Sequence, residues 1–570
     1  MAGCKGVKDM KLEIKNLSVL YTSNHEKTKA VDDSSIFLRK GDSVGIVGES
    51  GSGKTSLANS ILGLLPKNTN TNGEIFFEGE NILKYSESQY NEIRFKKIAM
   101  VFQNSKDVLN PLLSIGEQIQ ETLKRHTNLN PNEINSKVEQ LLIKVGLDKN
   151  VKNLYPNELS GGMRQKVLIA MAISCEPEVL ILDEPTSSLD MISKKEIINL
   201  IKELKLERNL SLIVISHELD TIKELSSTIY VMYKGRIMEK GPTTEVLLEP
   251  LHMYTKGLIY SSPSVNPYGD LWGIPMANSD ELIAGCPFSS RCNQREDSCF
   301  EIKPTLITVK EDREVACNQG GIIKILEGQN LKKVYKTKNG PVIGCEDCNI
   351  VIKSGEIVGI IGASGSGKTT LAGMLSGIIS KDQGKVIFCD TLQNKNNFTR
   401  IKEGIQLVFQ DPYTSINGNF TVLKAIAEPL VLINKESDKN ILVKVKEVLN
   451  MVQLESHEDF LEKPCYALSG GQLQRVALAR SLVVNPKVLI ADEITSMLDP
   501  STQANILRLL KSLQNQKGFS VVYITHDLAV ARKISDRIYV MNSGKVVEEG
   551  PTEKIFQNPE TNYTRKLISL

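Results

Sequence analysis

The sequence lacks the features that are typical of membrane-spanning, nucleic-acid-binding and secreted proteins. Its apolar runs, such as residues 179–182 and 488–491, span only a few residues, whereas a membrane-crossing helix needs about 20. The net charge is only +2, so no excess of charge favours a nucleic-acid partner. Residues 1–11 mix Lys and Asp and contain no apolar segment of a signal peptide. We therefore expect a cytoplasmic protein that does not cross a membrane and does not bind nucleic acid.

Tryptophan is also scarce, with Trp272 alone, whereas cysteine is not. In a reducing compartment the ten cysteines are more naturally thiols or metal ligands than members of disulfides. Four of them lie close together in the sequence, at Cys286, Cys292, Cys299 and Cys317. With 570 residues, 41% of them hydrophobic, the chain has material for several buried cores.

One long pattern occurs twice in the chain. Asp183 and Asp492 lie 309 residues apart, and the same offset relates the tail dipeptide Tyr254-Thr255 to Tyr563-Thr564. The stretch between the copies is rich in Pro, Ser and Cys. The repeat predicts a first domain over residues 10–260, a Cys-containing linker lobe over residues 261–320 and a second domain over residues 321–570.

Short β-branched runs alternate with longer amphipathic stretches in each copy. Residues 43–47 precede a helix predicted over residues 54–64, and further apolar runs cover residues 179–182 and 212–215. This alternation predicts an α/β fold in which helices cover a parallel sheet.

Each copy contains a complete phosphate-binding loop between a β-rich run and a helical one. The two loops read Gly48-Glu49-Ser50-Gly51-Ser52-Gly53-Lys54-Thr55-Ser56 and Gly362-Ala363-Ser364-Gly365-Ser366-Gly367-Lys368-Thr369-Thr370, including the residue that follows the motif. Glycines let backbone amides surround phosphate oxygens, the lysine reaches the terminal phosphates, and Thr55 or Thr369 can ligate Mg²⁺. The alternative, a glycine-rich turn with an incidental lysine, does not explain two full motifs in the required context. Both copies are therefore predicted to bind ATP.

A pair of carboxylates follows an apolar strand in each copy. The pairs are Asp183-Glu184 and Asp492-Glu493. The aspartate is predicted to reach the Mg²⁺ shell, and the glutamate to polarise the water that attacks the γ-phosphate. A buried strand that ends in solvated carboxylates is the alternative, but here the pairs follow phosphate-binding loops.

The sequences Leu159-Ser160-Gly161-Gly162-Met163 and Leu468-Ser469-Gly470-Gly471-Gln472 precede the carboxylate pairs. Each resembles the signature of the ATP-binding-cassette (ABC) proteins. A serine and glycines at a helix start also suit a γ-phosphate, although a Ser-Gly helix cap is the simpler alternative. The resemblance implies a tandem pair of ATPase domains, each with a helical subdomain.

The resemblance also implies roles for three further pairs. Tyr21 and Tyr335 would stack on adenine, although a tyrosine at a strand end more often packs than stacks. Gln103 and Gln410 would sense Mg²⁺ and water, and His217 and His526 would contact the γ-phosphate. In such proteins the signature of one domain closes over the nucleotide of the other, so Ser469 and Ser160 would complete two composite sites. ATP binding and hydrolysis would then drive closing and opening.

The cysteine-containing segment adds a resemblance to one subfamily of these ATPases. Gly285-Cys286-Pro287-Phe288 and the cysteines that follow resemble the C-terminal segment of oligopeptide, dipeptide and nickel importer ATPases. The resemblance implies a motor subunit on the cytoplasmic face of the membrane. Its partners would be two separate permease subunits and an extracytoplasmic substrate-binding protein.

Some members of that subfamily hold an iron-sulfur cluster, and four thiolates suffice for [4Fe-4S]. The gaps between Cys286, Cys292, Cys299 and Cys317 lack the C-x-x-C pairs typical of structural zinc, so iron-sulfur is favoured over zinc. Unligated thiols remain an alternative. Cys345 and Cys348 do form a C-x-x-C, but without a second pair we expect them to be core thiols.

The sequence leaves two other functions open. A twin-cassette ATPase that acts on ribosomes also lacks membrane segments, but usually has a long charged helical linker. A DNA-repair or chromosome ATPase would carry a coiled-coil insertion, which neither copy has.

Overall fold

The computed structural model describes residues 10–22, 27–103, 108–265, 274, 284–338, 340–392, 404–434, 438–496 and 498–569. Trp272 lies outside the described residues. The chain divides into two compact units, which are described separately. The first contains the described residues of Met1–Val265, Ser279–Ser290 and Asp297–Gly321, and the second those of Asn266–Asn278, Arg291–Glu296 and Ile322–Leu570. The three-part division expected from the repeat stays a prediction.

The first unit contains two sheets. The smaller is antiparallel, in the order Lys27–Arg39, Met10–Thr22, Thr69–Phe77 and Glu80–Asn81. The larger has, in spatial order, the strands Leu306–Lys310, Arg313–Ala316, Arg236–Pro242, Thr228–Tyr233, Ser43–Val47, Ser211–Ser216, Val179–Asp183 and Ile98–Val101. Its last five strands are parallel and the others antiparallel.

Helices cover the larger sheet and form a separate helical region. The α-helices of the first unit are Lys54–Ile61, Glu87–Ile93, Ile115–His126, Pro131–Lys144, Gly161–Ala172, Met191–Arg208, Leu219–Leu225, Thr243–Leu248, Met253–Tyr260 and Ser298–Glu301. The helix predicted over residues 54–64 ends at Ile61, because Gly63 adopts a positive φ of 62° that stops the helix.

The second unit repeats this arrangement. Its smaller sheet has the order Gly340–Lys353, Lys324–Thr337, Gln383–Phe388 and Thr391–Leu392, and its larger sheet Ile405–Val408, Val488–Asp492, Ser520–Ile524, Ile357–Ile361, Arg537–Asn542 and Lys545–Pro551. Its α-helices are Lys368–Leu375, Pro412–Ser415, Val422–Asn434, Asp438–Met451, Glu458–Leu461, Gly470–Leu482, Pro500–Lys517, Leu528–Ile534, Thr552–Gln557 and Asn562–Ile568. The 3₁₀ helices of the described chain are Ile82–Lys84, Lys149–Asn153, Pro156–Glu158, Ser289–Arg291 and Cys465–Ala467.

The central parallel strands form the core of each unit. Every residue of Ser43–Val47, Val179–Asp183 and Ser211–Ser216 is buried, as expected for Val- and Ile-rich strands that are covered on both faces. Because these strands are parallel, their carboxyl ends lie at one edge of the sheet, where ligands of open α/β sheets bind. The predicted α/β fold with two cassettes is confirmed.

The predicted Cys-containing lobe is not confirmed as a separate domain. Leu306–Lys310 and Arg313–Ala316, from its second half, form a hairpin that joins the edge of the first unit's larger sheet through Arg236–Pro242. Among the described residues, every helix is too short or too polar to traverse a bilayer.

Candidate functional sites

The first phosphate-binding loop connects the buried strand Ser43–Val47 to the helix Lys54–Ile61. The Lys54 ammonium folds over this loop and donates to Gly48 O at 2.8 Å, Glu49 O at 2.9 Å and Ser52 Oγ at 3.4 Å. Burial lowers the pKa of Lys54, and the carboxylates of Glu184, Asp183 and Glu49 oppose this shift. A buried cation surrounded by loop oxygens can exchange them for phosphate oxygens.

Glycine is required at the end of this loop. Gly53 has a φ of 101°, and a Cβ on it would lie 2.0 Å from Ala30 O. Gly367 in the second loop has the same φ, and its Cβ would lie 2.1 Å from Gly344 O. The second lysine, Lys368, donates to Gly362 O at 2.9 Å and to Ala363 O at 3.0 Å. The other loop residues predicted to bind the nucleotide, Ser50, Gly51, Ser364, Gly365 and Ser366, lie within these two loops.

The residues predicted to hold Mg²⁺ are paired in both copies. Thr55 Oγ1 donates to Asp183 Oδ2 at 3.0 Å, and the Thr369 hydroxyl donates to Asp492. Burial raises the pKa of both aspartates, and these hydroxyls oppose the shift. The second carboxylate oxygen, Oδ1, is buried in each aspartate and has no hydrogen-bond partner among the described residues. A buried oxygen of this kind beside a threonine hydroxyl fits an Mg²⁺ ion, which prefers oxygen ligands.

Glu184 is oriented by the end of the next strand. His217 Nδ1 lies 2.8 Å from Glu184 Oε1, which also accepts from the His217 backbone N–H at 3.1 Å. Ser216 Oγ donates to the other oxygen, Oε2, at 3.4 Å. Glu184 has a φ of 53°, and its own N–H donates to Ile215 O at 2.8 Å. This left-handed conformation of a glutamate is uncommon and is held by the neighbouring strand.

Glu493 has the same backbone conformation but different side-chain partners. Its φ is 47°, and its N–H donates to Ile524 O at 3.0 Å. Gln410 Nε2 donates to Glu493 Oε2 at 2.9 Å, and His526 Nδ1 lies 3.2 Å from Oε1. In the first copy Gln103 is exposed just after Ile98–Val101, and residues 104–107 of its loop lie outside the described residues. The structure therefore brings together glutamate, glutamine and histidine in the second copy, and glutamate and histidine in the first.

The signature serines begin helices, as predicted. Ser160 Oγ accepts from the Met163 backbone N–H, and Ser469 Oγ from that of Gln472, both at 3.3 Å. Both serines are exposed at the N-termini of Gly161–Ala172 and Gly470–Leu482. The glycines Gly161, Gly162, Gly470 and Gly471 form the first turns of these helices. The predicted capping geometry is present, while the composite sites stay a prediction.

The tyrosines predicted to stack on adenine lie beside the phosphate-binding loops. Tyr21 Oη donates to Ser56 Oγ at 3.1 Å, and Tyr335 Oη lies 3.3 Å from Thr370 Oγ1. Tyr335 is exposed, whereas Tyr21 is half-buried against the core of the first unit. Both hydroxyls contact the residue that follows the loop motif, and adenine stacking stays a prediction.

The structure does not support the predicted iron-sulfur cluster on Cys286, Cys292, Cys299 and Cys317. Among the described residues, no group of three or more His, Cys, Asp or Glu side chains is arranged to hold a metal ion. Cys292 belongs to the second unit, and the other three cysteines belong to the first. Burial, together with the nearby thiols of Cys317 and Cys299, raises the pKa of Cys286 to about 11. Cys345 and Cys348 are fully buried in the core of the second unit, and their prediction as core thiols is confirmed.

Two kinds of contact at these sites were not predicted from the sequence. Ser216 contacts Glu184, and the tail tyrosines Tyr254 and Tyr563 accept hydrogen bonds from the phosphate-binding loops. The sequence contained a signal for the tyrosines, because they recur at the same offset as the residues predicted to be catalytic. Ser216 had none, because the second copy has Thr525 at this position.

Comparisons with known proteins agree with the geometry of these sites. Residues 31–187 and 345–496 match the family model described as "ABC transporter". Residues 238–299 and 547–570 match the model described as "Oligopeptide/dipeptide transporter, C-terminal region". This second model therefore matches the C-terminal part, or tail, of each copy.

Three relatives align with nearly the whole chain. "Glutathione import ATP-binding protein GsiA" of Salmonella choleraesuis is 33% identical, with 98% of this chain and 89% of that protein covered. "Oligopeptide transport ATP-binding protein OppD" of Mycobacterium bovis is 32% identical, with 98% and 97% covered. "Peptidoglycan transport ATP-binding protein YejF" of Agrobacterium fabrum is 34% identical, with 98% and 96% covered.

Proposed function

Because the chain belongs to the ABC transporter family and is an ATPase of that family, we propose that it is the motor of a peptide-type importer. The observation that carries this proposal is the match of both tails to the C-terminal region of oligopeptide and dipeptide transporters. The names of the three relatives, which describe import or transport of glutathione, oligopeptide and peptidoglycan, support it. The alternative of a ribosome-acting ATPase receives no support from these matches.

The chain's own residues account for ATP binding. The loop amides and the buried ammonium of Lys54 or Lys368 neutralise the charge of the phosphates, in sites whose lysines are already surrounded by oxygen atoms. Thr55 with Asp183, and Thr369 with Asp492, would hold Mg²⁺. When bound, Mg²⁺ neutralises negative charge that develops on the phosphate oxygens.

The glutamates act on the water. We propose that the carboxylate of Glu184 or Glu493 accepts a proton from the water that attacks the γ-phosphate. His217 and His526 hold these carboxylates through Oε1, so the opposite oxygen, Oε2, is the one that can turn toward the water. Oε2 accepts from Ser216 Oγ at 3.4 Å in the first copy and from Gln410 Nε2 at 2.9 Å in the second, so these donors would have to release it.

The coupling of the two cassettes is part of the proposal. Ser160 would complete the site of Lys368, and Ser469 that of Lys54, so that closure depends on two bound ATP molecules. Closure and reopening would be transmitted to two permease subunits, with the chain attached to the cytoplasmic face of the membrane. A separate extracytoplasmic protein would deliver the substrate.

Uptake of a radiolabelled peptide by the source cells tests this function. Cells that carry the wild-type chain are compared with cells that carry the Glu184→Gln, Glu493→Gln double variant at equal abundance. We expect uptake to be lost in the variant, while both chains remain in the membrane fraction. Unchanged uptake, together with sedimentation of the chain with ribosomes, would contradict the importer function.

A further inference from the structure

A tyrosine from the tail of each copy contacts the phosphate-binding loop of the same copy. The Glu49 backbone N–H donates to Tyr254 Oη at 2.8 Å, and the Ala363 N–H donates to Tyr563 Oη at 3.2 Å. Glu49 and Ala363 occupy the second position of their loops. The tyrosines lie in the first turns of the helices Met253–Tyr260 and Asn562–Ile568. The two tails therefore make the same contact with their loops.

A buried carboxylate holds the start of each tail helix. Glu239 accepts from the N–H groups of Leu251 at 2.9 Å and His252 at 2.8 Å. In the second copy Glu548 accepts from the N–H groups of Glu560 at 2.7 Å and Thr561 at 3.0 Å. Since each carboxylate lies on a strand of the larger sheet, the sheet fixes the position of the tyrosine. In each copy the carboxylate therefore links a strand of the larger sheet to the start of the tail helix, whose tyrosine contacts the phosphate-binding loop.

In the first copy, segment 285–316 adds two supports to this connection. Phe288 is buried, and its ring centroid lies 5.4 Å from that of Tyr254 and 5.6 Å from that of His252. Arg313 is 1% exposed and donates to Glu239 Oε1 at 2.7 Å. These contacts restrain both the tyrosine ring and the carboxylate that holds its helix.

The second copy has weaker restraints on its tyrosine. Tyr563 is only partly buried, against a cluster that includes Ile361 and Ile555. No aromatic partner of the Phe288 kind surrounds Tyr563 in the part of the chain that the structure describes. The same hydrogen bond is also longer there, at 3.2 Å.

We propose that Tyr254 and Tyr563 are positioning residues that fix the entrance of each phosphate-binding loop, and that Phe288 strengthens this restraint at the first ATP site alone. The loop must hold its amides in place before phosphate arrives, and a pre-organised site loses less entropy on binding. The tyrosine hydroxyl accepts a hydrogen bond from the loop N–H and so fixes this part of the loop. A phenylalanine ring would fill the same space but could not accept that hydrogen bond. The first site then binds ATP more tightly than the second.

Nucleotide affinity, measured separately at each site of the full chain, tests the proposal. The probe is a fluorescent ATP analogue with a methylanthraniloyl group, in Lys368→Ala chains for the first site and Lys54→Ala chains for the second. We expect Tyr254→Phe to raise Kd at the first site about five-fold and to leave the second unchanged. Tyr563→Phe, the matched variant, should do the reverse. Phe288→Leu should raise Kd about two- to three-fold, at the first site only.

The measured constant distinguishes positioning from a loss of folded protein. A smaller folded fraction lowers the number of binding sites in the titration but does not change Kd. An unchanged Kd in Tyr254→Phe would overturn the proposal, and so would an equal effect of Phe288→Leu at both sites. If Phe288 acts through Tyr254, Phe288→Leu should not raise Kd further in a chain that already carries Tyr254→Phe. The same increase in Kd in both backgrounds would show that Phe288 does not act through Tyr254.

This inference rests on ATP binding and not on peptide import. The affinities are measured on the purified chain without permeases. A failure of the uptake experiment would therefore leave the inference standing, and an unchanged Kd would leave the importer function standing.

Discussion

Glu184 and His217 form a direct contact across two neighbouring parallel strands, with 2.8 Å between Oε1 and Nδ1. Glu184 follows the strand Val179–Asp183 and His217 follows Ser211–Ser216, so the sheet register brings them close together. The left-handed φ of Glu184 then turns its side chain toward the histidine. The corresponding pair, Glu493 and His526, is 3.2 Å apart and shares its glutamate with Gln410.

Replacement of both glutamates should abolish turnover without abolishing ATP binding. In the Glu184→Gln, Glu493→Gln variant, we expect steady-state phosphate release to fall at least about 100-fold, because an amide cannot accept the proton of water. Equilibrium binding of ATP should persist, since Lys54 and Lys368 are unchanged. Phosphate release at the wild-type rate would show that neither glutamate is the base.

The two histidines should differ in importance. His217→Ala removes the side-chain contact of Glu184 Oε1, and we expect kcat to fall about ten-fold or more. His526→Ala should have a smaller effect, because Gln410 still donates to Glu493 Oε2 at 2.9 Å, whereas Glu184 Oε2 keeps only the longer contact of 3.4 Å from Ser216 Oγ. The measurement is kcat and KM for ATP in the two single variants. An equal loss in both would contradict the idea that Gln410 supports the second glutamate.

The buried aspartates should destabilise the nucleotide-free protein at neutral pH. Burial raises the pKa of Asp183, so its contribution to stability is present below the unfolded pKa and is lost as pH rises through the folded pKa. Asp183→Asn should therefore raise Tm at pH 7.5, and the gain should shrink as pH falls toward the acidic range.

Asp190 is the matched control for this prediction. It is exposed at the start of Met191–Arg208, where backbone N–H groups and the Ser193 hydroxyl lower its pKa. Asp190→Asn should give no such gain at pH 7.5. A gain of equal size in both variants would mean that burial of Asp183 is not the cause. Calorimetry in a buffer without nucleotide and Mg²⁺ measures both.

Substitution of two loop glycines should show how much a steric clash costs in the free energy of unfolding, compared with a left-handed backbone conformation alone. A methyl group on Gly53 would lie 2.0 Å from Ala30 O, so Gly53→Ala should lower the free energy of unfolding by about 3 kcal/mol or more. Gly51 also has a positive φ of 78°, but its methyl group would meet nothing within 4 Å among the described residues. Gly51→Ala should cost only about 1 kcal/mol. Denaturant unfolding of the nucleotide-free chain gives both values, and equal costs would contradict the steric argument.

The ion pair of Arg313 and Glu239 should matter far more than an exposed pair on the same hairpin. Arg313→Leu would leave the fully buried Glu239 carboxylate without its cation, at a cost of about 3 kcal/mol in the free energy of unfolding. Lys310 pairs with Glu249 at 3.1 Å, but both are about half exposed. Lys310→Ala should cost less than about 1 kcal/mol, and an Arg313→Leu cost in that same range would contradict the prediction.

The motifs of the predicted ATP sites could be found in the sequence without any structure. Both loops, both carboxylate pairs and both histidines could be found because each motif is local, and because the spacing of the repeat shows each motif twice. The parallel sheet could also be predicted, since fully buried strands are apolar along their whole length. The helix after residue 54 ended earlier than its pattern indicated, because Gly63 stops it.

Contacts between residues far apart in the sequence could not be predicted, because they depend on how the strands and helices pack. The fold places Arg313–Ala316 at the edge of the first unit's larger sheet, beside a strand more than 70 residues earlier in the chain. It also brings Tyr254 to Glu49, 205 residues earlier in the chain. Such contacts arise from strand register and helix packing, whereas local motifs specify only the chemistry that those contacts position.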